Sequence, residues 1–185
     1  MSSGVALRAL HDGDAVWIAR EIVRPAVHRW LTGVPHPYRL EDAEAFFARY
    51  RSDPFYRVIE QAGAPRGIVS IDRGTARPEL GYWLEEPAWG RGLMTTAASM
   101  VIVRFTRASR AALASGWIEG NHASAHVLAK LGFVPTGQVV QTYSHFVGRK
   151  LPVMRAQLDR AHRTQVERKQ DVTTPGRTGF ERDAT

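Results

Sequence analysis

The residues best placed to do chemistry lie around Trp89-Gly90-Arg91-Gly92. Before them runs the strand-like segment Glu79-Leu80-Gly81-Tyr82-Trp83-Leu84, followed by Glu85; after them opens a helical run at Leu93-Met94-Thr95. A helix N-terminus carries unpaired backbone N–H groups and a partial positive charge, which makes it a ready site for a phosphate or pyrophosphate. Glycines at 90 and 92 remove the Cβ atoms that would hold an anion away from those donors. The spacing therefore points to a phosphorylated ligand.

Three phosphate-binding arrangements compete. A Walker loop ends in Gly-Lys-Ser/Thr, whereas Gly92 is followed by Leu93 and Met94. A dinucleotide fingerprint needs a third glycine where Thr95 stands, and a parallel βαβ unit near the start of the fold. The third arrangement, a strand-to-helix loop in the middle of a mixed sheet, meets neither objection. The chain has 185 residues and no cysteine, which excludes a thiol nucleophile, a disulfide and a thiolate metal site. His122 and His126 are one helical turn apart but lack supporting carboxylates, so no metal is expected. The formal charge of +7 comes mostly from scattered arginines interleaved with acids. That pattern suits an anionic ligand better than a nucleic acid. No apolar run is long enough to span a bilayer, and Met1-Ser2-Ser3-Gly4 has no signal-peptide pattern; a cytoplasmic protein that meets no membrane is expected.

The elements that must position this loop follow from hydrophobic periodicity. Val5 to Leu10 has strand spacing. Ala15, Ile18, Ala19 and Ile22 then recur at helical spacing, with Asp12 or Asp14 as the cap. A short helix from Pro25 would bury Trp30 and Leu31, and Ala43, Phe46, Phe47 and Tyr50 define another. Phe55 to Gln61 and Gly67 to Asp72 read as strands joined by Ala62–Arg66, and with Glu79 to Leu84 they make an antiparallel meander. Met94, Ala97, Ala98, Val101, Ile102 and Phe105 form one apolar helix face. Leu113 to Ile118 is a strand, Asn121 to Leu131 a helix ended by Gly132, and Phe133 to His145 and Leu151 to Leu158 the last strands. This order describes a mixed α/β domain on one central sheet.

Two segments resemble the GNAT superfamily of acetyl-CoA-dependent N-acetyltransferases, and within it the RimJ/RimL type that acetylates ribosomal-protein N-termini. One is Gly81-Tyr82-Trp83-Leu84 with Trp89-Gly90-Arg91-Gly92-Leu93-Met94-Thr95-Thr96-Ala97; the other is Asn121-His122-Ala123-Ser124-Ala125-His126-Val127-Leu128-Ala129-Lys130-Leu131-Gly132-Phe133. The resemblance implies a GNAT-like single domain over residues 1–160, α/β (α+β) in class. Its mixed, mostly antiparallel sheet would have about six to seven strands flanked by helices, with a polar tail at 161–185. It also implies that backbone N–H groups from Arg91 to Thr95 hold the cofactor pyrophosphate, that Arg91 adds a charged contact, and that Trp83, Leu84 and Glu85 pair with the pantetheine arm. The loop departs from the usual pattern at Trp89 and Met94. Leu128 stands where many members carry a tyrosine general acid.

By the same resemblance Glu79 is the candidate base, with Glu119 as the alternative. Ser124 is the candidate donor to the departing thiolate, and Asn121 caps its helix and touches the cofactor arm. Tyr143 and His145, two apart on a late strand, and His36 and Tyr38, in a proline-rich loop, are candidates for the acceptor side. The implied partner is a primary amine, either a protein N-terminus or a small molecule, with acetyl-CoA as co-substrate and direct transfer between them. Whether the protein is a homodimer stays open. So does a second class of function, an acyl-CoA-binding sensor without turnover, which Leu128 and Met94 would permit.

Overall fold

The computed structural model describes residues 4–74 and 77–159; the expected tail at 161–185 lies outside them. In chain order come β1 (Val5–Arg8), α1 (Asp14–Ile22), α2 (Pro25–His28), α3 (Leu40–Tyr50), β2 (Tyr56–Gln61), β3 (Ala64–Asp72) and β4 (Glu79–Leu84). A 3₁₀ turn at Glu86–Ala88 leads to α4 (Leu93–Ala108), β5 (Ala114–Ile118), α5 (His122–Lys130), β6 (Phe133–Ser144) and β7 (Arg149–Leu158). The seven strands form one sheet in the order β1-β2-β3-β4-β5-β7-β6, antiparallel except where β4 meets β5.

Strand alternation gives the sheet two differently covered faces. On one, Ile59, Val69, Ile71, Leu80 and Ala156 pack against α4 and α5. The six α4 residues predicted to share an apolar face are all buried there. Full burial of each large aliphatic or aromatic side chain stabilises the fold by about 1.5–3 kcal/mol, so this stripe anchors α4 and fixes its N-terminus against the sheet. On the other face Val58 and Ile68 pack with Ile18, Ile22, Ala43 and Phe47 of α1 and α3.

Three local expectations need correction. Asp14 does not cap α1: it is the helix's first residue, and Gly13 before it offers no side-chain cap. Its carboxylate instead accepts two hydrogen bonds from Arg8, each 2.6 Å, because Arg8 bridges it to Glu60 across β1 and β2. The α2 segment buries Val27 and His28 rather than Trp30 and Leu31, which lie beyond its end and are half-buried. The β2–β3 connection is only Ala62-Gly63, since Gln61 already pairs with Ala64. Both loop residues take positive φ, 52° and 75°, the conformation that a two-residue hairpin matching strand twist requires.

The sheet is nearly cut in two. β4 and β5 share a single register pair, Glu79 with Ala114, and then diverge. Pro78, just before β4, and the even-numbered residues of β4 turn their carbonyls toward this opening. Pro78 accepts the Ala114 N–H at 2.8 Å, Leu80 accepts the Ser115 hydroxyl at 2.9 Å, and Leu84 accepts the Trp89 indole N–H at 2.9 Å. By the same alternation the peptide groups of Tyr82 face the side from which β5 has withdrawn.

Candidate active site

A cleft of about 720 Å³ passes through this opening and joins the two faces of the sheet. At one mouth stands the N-terminus of α4. Gly92 caps it with φ 75° and Gly90 precedes it with φ 71°. A Cβ at either glycine would meet nothing within 4 Å, so what demands glycine is the left-handed backbone, not space. No side chain caps this helix and no acid lies in its first turn, which leaves its N–H donors for an external anion. The side chains of Leu93 and Met94 are buried in the core, so the bulk of Met94 is directed away from the loop. Thr95 is half-buried and Arg91 exposed. The Trp89 hydrogen bond to Leu84 pins the loop to the end of β4.

On this face α5 faces β4. The Asn121 carboxamide oxygen accepts the Ser124 N–H at 3.0 Å, which caps α5 and aims its first turn at the strand. The hydroxyls of Ser124 and Tyr82 share a hydrogen bond of 2.9 Å. Burial pushes the Tyr82 phenol up to about 12, with the Ser124 bond pulling weakly the other way. Tyr82 is therefore a neutral hydroxyl across the working pH range. Leu128 is fully buried in the core.

On the opposite face Glu79 lies against Arg155 in a two-pronged ion pair, with Nη1 to Oε1 at 2.7 Å and Nη2 to Oε2 at 2.9 Å. The pair raises the Arg155 pKa through the hydrogen bonds to Glu79. Gly116 of β5 lies beside the guanidinium: a Cβ there would come within 2.8 Å of the Met154 carbonyl and 3.2 Å of Arg155 Nη1. The connector between α2 and α3 closes this mouth, with Trp30 packed on Ile118, Leu151 and Val153. His28 anchors the connector. It is completely buried, and its ring lies 5.0 Å from Phe146 and 5.3 Å from His36. Burial lowers its pKa below the usual histidine value.

Of the residues singled out in the sequence, Glu79, Trp83, Leu84, Trp89, Gly90, Gly92, Leu93, Met94, Asn121 and Ser124 line the cleft. Others do not. Glu119 is exposed, and its N–H bonds to Pro152. Glu85 is buried in an ion pair with Arg66, and its peptide N–H donates to the Arg66 carbonyl at 2.9 Å. Trp83 borders the cleft, but its ring stacks on Trp17 at 5.3 Å. Tyr143 and His145 contact each other on the exposed side of the sheet edge, and the neighbouring Thr142 lines the cleft instead. His36 packs on His28 and Phe146, and Tyr38 on the α1–α3 layer, where burial raises its phenol to about 12.

Tyr82, Arg155, Trp30 and Thr142 were missed. Tyr82 was legible in part, because its side chain must project from the β4 face opposite Glu79. Arg155 was not, since its pairing with Glu79 joins strands 76 residues apart.

The arrangement is a passage with an anion cradle and a paired hydroxyl on one face of the sheet, and a positioned carboxylate on the other. Among the described residues no group of three His, Cys, Asp or Glu is placed to hold a metal ion, and no helix is long and apolar enough to cross a membrane. No match to the chain was found among curated protein sequences. Among solved structures, Mycobacterium smegmatis RimJ in complex with CoA-disulfide superposes with a TM-score of 0.74 at 19% identity, covering 91% of this chain and 88% of that one. Spermidine N-acetyltransferase from Vibrio cholerae, in complex with CoA and spermine, gives 0.70 at 21%, covering 88% and 99%. The structure of yncA from Salmonella typhimurium with acetyl-CoA gives 0.68 at 21%, covering 84% and 93%. Residues 5–134 match the family model described as acetyltransferase (GNAT) domain. The loop, the opened sheet and this match converge: the chain belongs to the GNAT acetyltransferase family, the acetyl-CoA-dependent N-acetyltransferases.

Proposed function

We propose that this protein transfers the acetyl group of acetyl-CoA directly to a primary amine, with the two substrates meeting in the opening between β4 and β5. The observation that carries the reading is the opposition across that opening. The Tyr82–Ser124 hydroxyl pair lies on the face of α4 and α5, and Glu79 lies on the face of the connector. A donor entering from one side and an acceptor from the other would meet at the sheet.

Acetyl-CoA supplies an activated acyl thioester. The residues present fit it: the uncapped N–H groups from Arg91 to Thr95 suit its pyrophosphate, and the unpaired peptide edge at Tyr82 suits its amide-bearing arm, much as an added strand. This shifts the pairing positions from Trp83–Glu85 toward Tyr82 and the Leu84 N–H, because the Glu85 N–H is committed to β3 and the Leu84 carbonyl to Trp89. Asn121 holds the turn that presents Ser124. The Tyr82–Ser124 pair donates to the departing sulfur. A carboxylate has about four lone-pair sites. Arg155 occupies one on each oxygen of Glu79, so the others remain to accept the amine proton, directly or through water.

Leu128 and Met94, the residues that would permit a sensor without turnover, are both core residues here, and Tyr82 supplies a hydroxyl that Leu128 lacks. The test is calorimetric titration with acetyl-CoA of the parent chain and of Gly92→Glu. Micromolar binding lost in the variant supports the reading. No binding by the parent refutes it.

A further inference from the structure

The acceptor mouth has an unusual balance of charge for a site that receives an amine. Among the described residues that line the cleft, Glu79 is the sole carboxylate, and Arg155 neutralises it with two hydrogen bonds. The other basic residues on the wall, His126 and Lys130, belong to α5 on the opposite face. Around the acceptor mouth the wall includes Val27, Trp30, Leu31, Val34, Ile118 and Val153, with Thr32 and Thr142 as neutral polar neighbours. Trp30 is held half-buried there by its contacts with Ile118, Leu151 and Val153, with the Arg29 guanidinium 4.7 Å from its ring centroid, so a large aromatic side chain flanked by a cation is fixed at the opening.

A second or third ammonium group on the acceptor would find no free carboxylate on this wall, and a protein of net charge +7 repels it at long range. An apolar group beside the reacting amine would instead leave water for the surface of Trp30, Leu31 and Val34.

We infer that the acceptor is a monoamine whose neighbouring substituent is apolar or aromatic, rather than a polyamine. The inference rests on the acetyl-transfer reading and narrows its substrate class. The same chemistry comes from two sources, a free arylalkylamine or a peptide whose first side chain is Phe or Leu. It sets this cleft apart from the neighbour whose structure holds spermine.

The experiment follows CoA release with four acceptors: phenethylamine, a tetrapeptide beginning with Phe, the same tetrapeptide beginning with Asp, and spermidine. The expected result is a kcat/KM for phenethylamine or the Phe peptide at least about tenfold above spermidine and the Asp peptide, the range that filling or emptying one apolar pocket produces. Which of the two leads identifies the source. Trp30→Ala should remove about tenfold of that preference while leaving acetyl-CoA affinity unchanged. Preference for spermidine, or equal rates for the Phe and Asp peptides with phenethylamine inactive, overturns the inference. So does acetyl-CoA binding with none of the four acetylated. Absence of acetyl-CoA binding in a parallel titration would instead locate the failure in the acetyl-transfer reading itself.

Discussion

Replacing Tyr82 by Phe removes one oxygen atom from the 2.9 Å bond to Ser124 and leaves the ring in place. The size of the effect follows from how that hydroxyl works. Its pKa is pushed up to about 12 by burial, whereas an ordinary thiol titrates near 8.5. Full proton transfer to the departing thiolate is thus uphill by more than 3 units, or roughly 5 kcal/mol. If the pair acts at the departing sulfur, as proposed, it does so as a hydrogen-bond donor to the developing charge, not as an acid that gives up its proton outright. Hydrogen bonds to charged groups contribute about 1.5–3 kcal/mol, which corresponds to a fall in kcat of roughly 10- to 150-fold. The fall expected for loss of a true general acid extends to about 10⁴-fold. The assay is CoA release at saturating acetyl-CoA, with acetyl-CoA affinity measured in parallel. Tyr82→Phe, Ser124→Ala and the double variant should lose similar amounts of kcat, because the two hydroxyls act as one unit. Stability should drop by only about 1 kcal/mol. A variant whose kcat stays within twofold of the parent, or effects that add, would refute the reasoning.

Other expectations follow from the same geometry. Glu79→Gln should lower kcat by about 100-fold or more with unchanged acetyl-CoA affinity; an effect confined to KM would assign Glu79 to binding alone. Gly116→Ala should disturb the Arg155 guanidinium through its 2.8 and 3.2 Å contacts, and with it Glu79, lowering kcat and destabilising the fold by about 1–3 kcal/mol; a variant equal to the parent in both would show that the pair tolerates displacement. His28 gives a pH dependence with a defined sign. Its folded pKa lies below 6.5, so in more acidic solution the unfolded chain takes up a proton that the folded chain refuses, and stability falls as pH drops through that value. Urea midpoints at pH 7.5 and 5.5 should differ less for His28→Phe than for the parent; equal differences would exclude His28 as a source.

The sequence was most legible where one local force decides the outcome. Glu79 to Leu84 alternates, and the strand has those bounds. Met94 to Phe105 carries a helical stripe, and every member is buried. Gly132 ends α5 with φ 85°. Legibility failed where a distant partner outbid a local preference. Asp14 has the chemistry of a cap, but a guanidinium from β1 captures it. Tyr143 and His145 were expected on one strand face, but β6 ends at Ser144 and His145 lies in the turn beyond it; their rings meet at 5.3 Å all the same. The separation of β4 from β5 is written in no single segment. It shows only in the strand pairing, where Glu79 with Ala114 is the one register pair.

That separation has a mechanical consequence. β1 to β4 and β5 to β7 are two leaves whose backbones meet at one rung and whose other connection on the α4 side is the packed apolar layer. On the proposed reading, a ligand lying along the open edge of Tyr82 would add rungs where β4 and β5 diverge and act as a temporary strand between the two leaves. Ligand at 100 times its dissociation constant would add about 2.7 kcal/mol to global stability. Amide exchange should slow in both leaves at once, including rungs of β7 that the ligand never touches. Product release then amounts to reopening a seam.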